Sequence, residues 1–128
     1  MISIKDIEQI LIGDLSSLMS VSSIFIEDDI PVGIVEEERI TLHVKTLKPQ
    51  TYFNKCFVEV NWCVPDLGDH PDSSRLQVVD RMMADIESIG EYDGSVYRYG
   101  VEGIQILKSE LKCHYVNTRL LFEILNVK

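Results

Sequence analysis

The sequence predicts an α+β fold: a largely antiparallel four-stranded sheet with two helices packed on one face, in the order α-β-β-α-β-β. Three observations carry that expectation. Two stretches repeat apolar residues every three or four positions, the mark of an amphipathic helix. Four stretches alternate apolar and polar residues, or are rich in β-formers, as strands do. The strands come in pairs separated by turn residues, which favours antiparallel neighbours over crossover-linked parallel ones. A length of 128 residues with 45% hydrophobic content suits a single domain over residues 1–128 with its own core.

The first helix is expected from Ile4, Ile7, Leu11, Leu15 and Leu18, one apolar stripe. Ser3 with Asp6 offers an N-cap, Gly13 weakens the middle, and the serine-rich stretch Ser16 to Ser23 ends it. Ile24 to Ile26 reads as a short extended piece. A turn-rich acidic connection follows through Glu27, Asp28, Asp29, Pro31, Gly33, Glu36, Glu37 and Glu38, expected to be mobile or to touch a partner. Arg39 to Thr46 alternates strictly, with Ile40, Leu42 and Val44 facing one way. Lys48-Pro49-Gln50 breaks that strand. Lys55 to Val64 is the clearest strand, with Cys56, Val58, Val60, Trp62 and Val64 on one face and Phe57 and Cys63 suggesting cover on the other.

Pro65 to Pro71 is a loop by its turn residues, and Asp72, Ser73 and Ser74 are candidate caps for the second helix. Leu76, Val79, Met83, Ile86 and Ile89 mark its buried stripe, with Gly90 as the C-terminal stop. Tyr92-Asp93-Gly94 is a turn. Val96 to Leu107 is a strand in which Gly100 and Gly103 suggest a bulge or a close backbone approach. Lys108 to Glu110 turns the chain, and Lys112 to Val127 closes it as a long strand.

Twenty-one acidic residues against twelve basic ones give a net charge of −9. That balance argues against sequence-independent attachment to nucleic acid, which Lys and Arg supply, and against anionic membranes. No apolar run approaches the roughly 20 residues that cross a bilayer. The start MISIKDIEQI lacks the basic and apolar regions of a signal peptide, so the chain is expected to stay in the cytoplasm of the producing cell. The three cysteines, Cys56, Cys63 and Cys113, show no repeated spacing and are expected to be reduced and buried.

The one cluster that could hold chemistry is Asp66, Asp69, His70 and Asp72, three carboxylates and an imidazole in one loop, able in principle to bind a divalent cation or serve as acid and base. Its spacing does not match an EF-hand, and a solvated loop entering a helix N-terminus explains the acids as well. Cys113 and His114 are strand neighbours pointing to opposite faces, the wrong geometry for a nucleophile and its base. There is no nucleophile elbow, phosphate loop or dinucleotide fingerprint. His43 reads as a surface histidine and Trp62 as a core residue. Tyr92, Tyr97 and Tyr99 fit an interface patch or ordinary strand positions equally well. No catalytic residue, cofactor or metal is expected, and the chain reads as a non-enzyme. The alternatives are a small metal-dependent enzyme built on the Asp66 to Asp72 loop, or a host adaptor that binds a peptide along an exposed strand.

The layout resembles the tail-terminator and tail-completion (neck) proteins of long-tailed bacteriophages. The similar parts are the opening Lys5-Asp6-Ile7-Glu8-Gln9-Ile10 helix, Val32-Gly33-Ile34-Val35 with the acidic run before Arg39 to Thr46, and Val58-Glu59-Val60-Asn61-Trp62-Cys63-Val64-Pro65-Asp66, a strand ending in a Val-Pro-Asp step before a helix opened by Arg75-Leu76. The resemblance spans most of the chain and implies a structural virion protein. It would form a homo-oligomeric ring, a hexamer, at the head-proximal end of the tail. The ring would stop tube growth and meet the tail tube protein on one side and the head-tail connector on the other. It implies no active site. Candidate contact or lumen residues are then Glu27, Asp28, Asp29, Glu36, Glu37, Glu38, Asp66, Asp69 and Asp72, with Tyr97, Tyr99 and the Lys108 to Lys112 hairpin as further contacts. An acidic wall would let DNA pass without holding it.

Overall fold

The computed structural model describes residues 2–18, 23–26, 29–45, 48–49 and 53–125. Helix α1 (Ile4–Leu18) begins on a reciprocal cap. The Ser3 N–H donates to Asp6 Oδ2 at 2.9 Å and the Asp6 N–H to Ser3 Oγ at 3.2 Å, so two of the helix's unpaired donors are satisfied. Then follow β1 (Ile24–Ile26), β2 (Arg39–Val44), the two-residue β3 (Lys48–Pro49) and β4 (Phe53–Pro65). Helix α2 (Ser73–Ala84), β5 (Glu87–Tyr92), β6 (Ser95–Ser109) and β7 (Cys113–Leu125) complete the chain.

The expected four-stranded antiparallel sheet is corrected here. Six strands stand side by side in the order β1-β2-β4-β7-β6-β5, with β3 paired beside β4. The sheet is mixed, because β1 runs parallel to β2 while the other pairings are antiparallel. The α+β class stands. Ile24 to Ile26 supplies the parallel edge. The other edge comes from residues read as the end of the second helix. That helix stops at Ala84, and Glu87–Tyr92 is a strand. Ile86 is buried, but Ile89 is 72% exposed, so the apparent helical stripe ends at Met83. Gly90 is a strand glycine opposite Tyr97. A Cβ there would lie 2.6 Å from the Tyr97 hydroxyl. The β5–β6 turn needs positive φ at both central residues, and Asp93 (49°) and Gly94 (78°) adopt it, as a two-residue hairpin requires. The turn between β6 and β7 falls at residues 110–112 rather than 108–110.

Both helices lie on one face, as expected. Ile7, Leu11 and Leu15 of α1 and Leu76, Val79 and Met83 of α2 share a core with Ile40, Val58, Trp62, Leu120 and Phe122 of the sheet. The alternation in β2 and β4 read from the sequence is the alternation that fills this core. Gly100 and Gly103 flank a register shift between Val101 and Gly103, with Leu120 and Arg119 opposite, so the bulge expected there is present. Among the described residues no helix is long and apolar enough to cross a membrane.

Candidate functional site

Residues 29–38 cross from β1 to β2. Of the acids proposed for contacts, Glu27 and Asp28 lie outside the described residues. Val35 is buried on the face away from the helices, against Cys63, Cys113 and Tyr115, and its N–H donates to the Leu111 carbonyl at 3.0 Å. One anchor therefore ties this segment to the tip of the β6–β7 hairpin. Just ahead of this anchor, Val32 is fully exposed and Ile34 is 56% exposed, flanked by exposed Asp29, Glu36 and Glu37.

Glu38 is the second anchor and points inward. Its Oε1 accepts from the buried Trp62 indole N–H at 2.9 Å, and its carboxylate takes a two-point pair from Arg75, Nε at 2.7 Å and Nη2 at 2.9 Å. The guanidinium lies 5.5 Å from the Trp62 ring centroid. Burial opposes ionisation of Glu38, but the hydrogen bonds from Arg75 and Trp62 outweigh it and hold the carboxyl below its ordinary value. This residue fastens β2, β4 and α2 together, so it is a structural clamp and not a free surface acid.

The Asp66 to Asp72 loop does not converge on a site. Asp66 Oδ1 lies 2.7 Å from His114 Nδ1, Asp72 caps α2 by accepting from the Arg75 N–H at 3.2 Å, and Asp69 and His70 are exposed. Among the described residues no three His, Cys, Asp or Glu side chains stand together to hold a metal ion. Tyr97 and Tyr99 are buried against the core. Both stack on Phe122, at 5.3 and 5.8 Å between centroids, and the Tyr99 hydroxyl donates to Asp14 Oδ2 at 2.7 Å. Burial, aided by Asp14, pushes the Tyr99 hydroxyl well above its ordinary value. They join sheet to α1 instead of forming a surface patch.

Sequence reasoning missed the unpaired half of β6. Strand β5 follows β6 only as far as Glu87 opposite Gly100, while β6 continues to Ser109. The Asp93-Gly94 turn was the available signal, since it demands a strand before it as well as after it. The arrangement offers surfaces: an apolar and acidic projection rooted at Val35 and Glu38, and a sheet with unpaired edges. No protein family and no curated protein matches the chain.

Proposed function

We propose that the chain is a structural virion protein of a long-tailed bacteriophage. In this reading identical copies form a ring at the head-proximal end of the tail, end tube growth and join the tube to the neck connector. The observation that carries the reading is the rooted projection at residues 29–38. A ring closes when one patch on each copy meets a different patch on the next. The exposed Val32 and Ile34 form one such patch. The open sheet edge at β5, with Ile89 exposed between Glu87 and Glu91, is available as the other. The resemblance of residues 58–66 and of the segment before β2 to tail-terminator proteins supports the same reading. With Glu38, Asp66 and Asp72 engaged within the chain, the candidate acids left among the described residues to face a DNA passage are Asp29, Glu36, Glu37 and Asp69.

Electron microscopy of tails assembled with a tagged chain tests the reading. The expected image is a ring of identical copies at the head-proximal tail end, and Val32→Asp with Ile34→Asp should yield tails of irregular length. A single axial copy, or a tag found away from tail and neck, overturns it.

A further inference from the structure

The second half of β6 is a strand edge with a self-complementary sequence. Beyond Gly100 no described strand pairs with it on the side away from β7, so alternate backbone N–H and C=O groups there face outward. Glu102, Gly103, Gln105, Ile106 and Lys108 are exposed, Ile106 at 46%. Glu102 and Lys108 make no ion pair or side-chain hydrogen bond with another described residue. Two unmatched opposite charges therefore sit six residues apart on one open edge.

We propose that this edge is the seam of a two-fold dimer, in which β6 of one copy pairs antiparallel with β6 of a second copy about Gln105. That register sets Glu102 opposite Lys108 and Lys108 opposite Glu102. It sets Ile104 opposite Ile106 twice on the helix-bearing face, where these residues lie over Thr118 and Val116. On the other face Leu107 comes opposite Gly103, where a Cβ would meet nothing within 4 Å, so the leucine has room. Sliding the strands by one residue each puts Glu102 opposite Ile106, or Ile104 opposite Lys108. Parallel pairing in register sets like charge on like. Opposite charges directly across a pair stabilise it and like charges weaken it, so the sequence selects this one alignment. The bulge at Glu102 bends the strand where β5 begins and marks the end of the seam. The contact joins one patch to itself, unlike a ring contact, and it does not rest on the ring reading.

Sedimentation of the full chain at sub-millimolar concentration tests the seam. The expected wild-type mass is twice 14.6 kDa. Glu102→Lys and Lys108→Glu alone should each weaken association by about tenfold, and the double exchange should restore it. Both positions are exposed, so the monomers should melt as wild type does. Gln105→Cys should give a covalent dimer on mild oxidation, because opposed residues at the axis lie within disulfide reach; Glu91→Cys should not. A wild-type monomer, a dimer indifferent to the single reversals, or a mass of six chains indifferent to them overturns the proposal.

Discussion

At the residue scale, Glu38 does the most with one side chain. It satisfies a buried indole N–H and holds Arg75 by two bonds. Glu38→Ala would leave the Trp62 donor unpaired in the core, and a buried donor without a partner costs about 1–3 kcal/mol. Urea unfolding should show that loss. The pH dependence has a definite sign. The folded carboxyl is held below its ordinary value of 4.5, so its contribution is complete above that pH and is lost as pH falls through the folded value. Glu38→Gln should therefore flatten part of the acid limb of the stability profile; an unchanged limb would show that the pair contributes nothing. The thiols yield a second prediction. Cys63 and Cys113 sit on one face, but their register is diagonal, since Cys63 is opposite Tyr115 and Cys113 opposite Pro65. Burial pushes Cys56 up to about 12, and burial with the neighbouring Cys113 thiol pushes Cys63 up to about 11. A thiol reagent at pH 8 should leave the native protein almost unlabelled and take all three cysteines after unfolding. Rapid native labelling would contradict the burial.

At the element scale, two glycines make opposite predictions. Gly90 is filled by the Tyr97 ring, which is itself stacked on Phe122, so Gly90→Ala should cost about 1–3 kcal/mol through overpacking. Gly13 lies within α1 with open space at its Cβ, so Gly13→Ala should stabilise by about 1 kcal/mol. Thermal melting of the two variants checks both signs. The same elements show what could be read beforehand. Strands β2 and β4 were legible because one wet and one dry face imposes strict alternation, and both helix caps were legible because their side chains bond within three residues. Strand β5 was not, because Glu87-Ser88-Ile89-Gly90 is edge-placed with alternate residues exposed, and Ile86 and Ile89 continue the helical spacing of α2 by coincidence. The parallel pairing of β1 was hidden because three apolar residues cannot state which neighbour they join. The roles of Glu38, Asp66, Tyr97 and Tyr99 were hidden for another reason. Their partners lie 24 to 85 residues away, and no local spacing records such a pair.

At the scale of the whole molecule, net charge and topology set behaviour together. Four basic side chains, Lys45, Lys55, Arg98 and Arg119, share the face away from the helices with Glu59, Glu87, Glu91 and Glu123, so the two signs are interspersed on that face in a chain of net charge −9. Asp29, Glu36 and Glu37 are exposed beside the projection. If those acids face a DNA passage, reversing them to lysine should slow DNA ejection while tail length stays normal, because lysines gain affinity for phosphate over a screened range of about 8–10 Å. Normal ejection with irregular tails would place them in a protein contact instead.

Strand order carries a further consequence, for the time course of synthesis. Strand β7 is central in the sheet, yet it follows every other described element in the chain. Its register with β4 joins Phe53 to Leu125. A ribosome must therefore release almost the whole polypeptide before Val58, Val60 and Trp62 gain the neighbour that completes their layer. Until then the earlier strands form two separate halves with a gap between them. Such long-range closure is slow compared with helix formation, and an unpaired apolar strand is a target for chaperones and for aggregation. Stop codons within residues 113–125 should thus yield insoluble chains rather than trimmed ones, since they remove the middle of the sheet and not its margin.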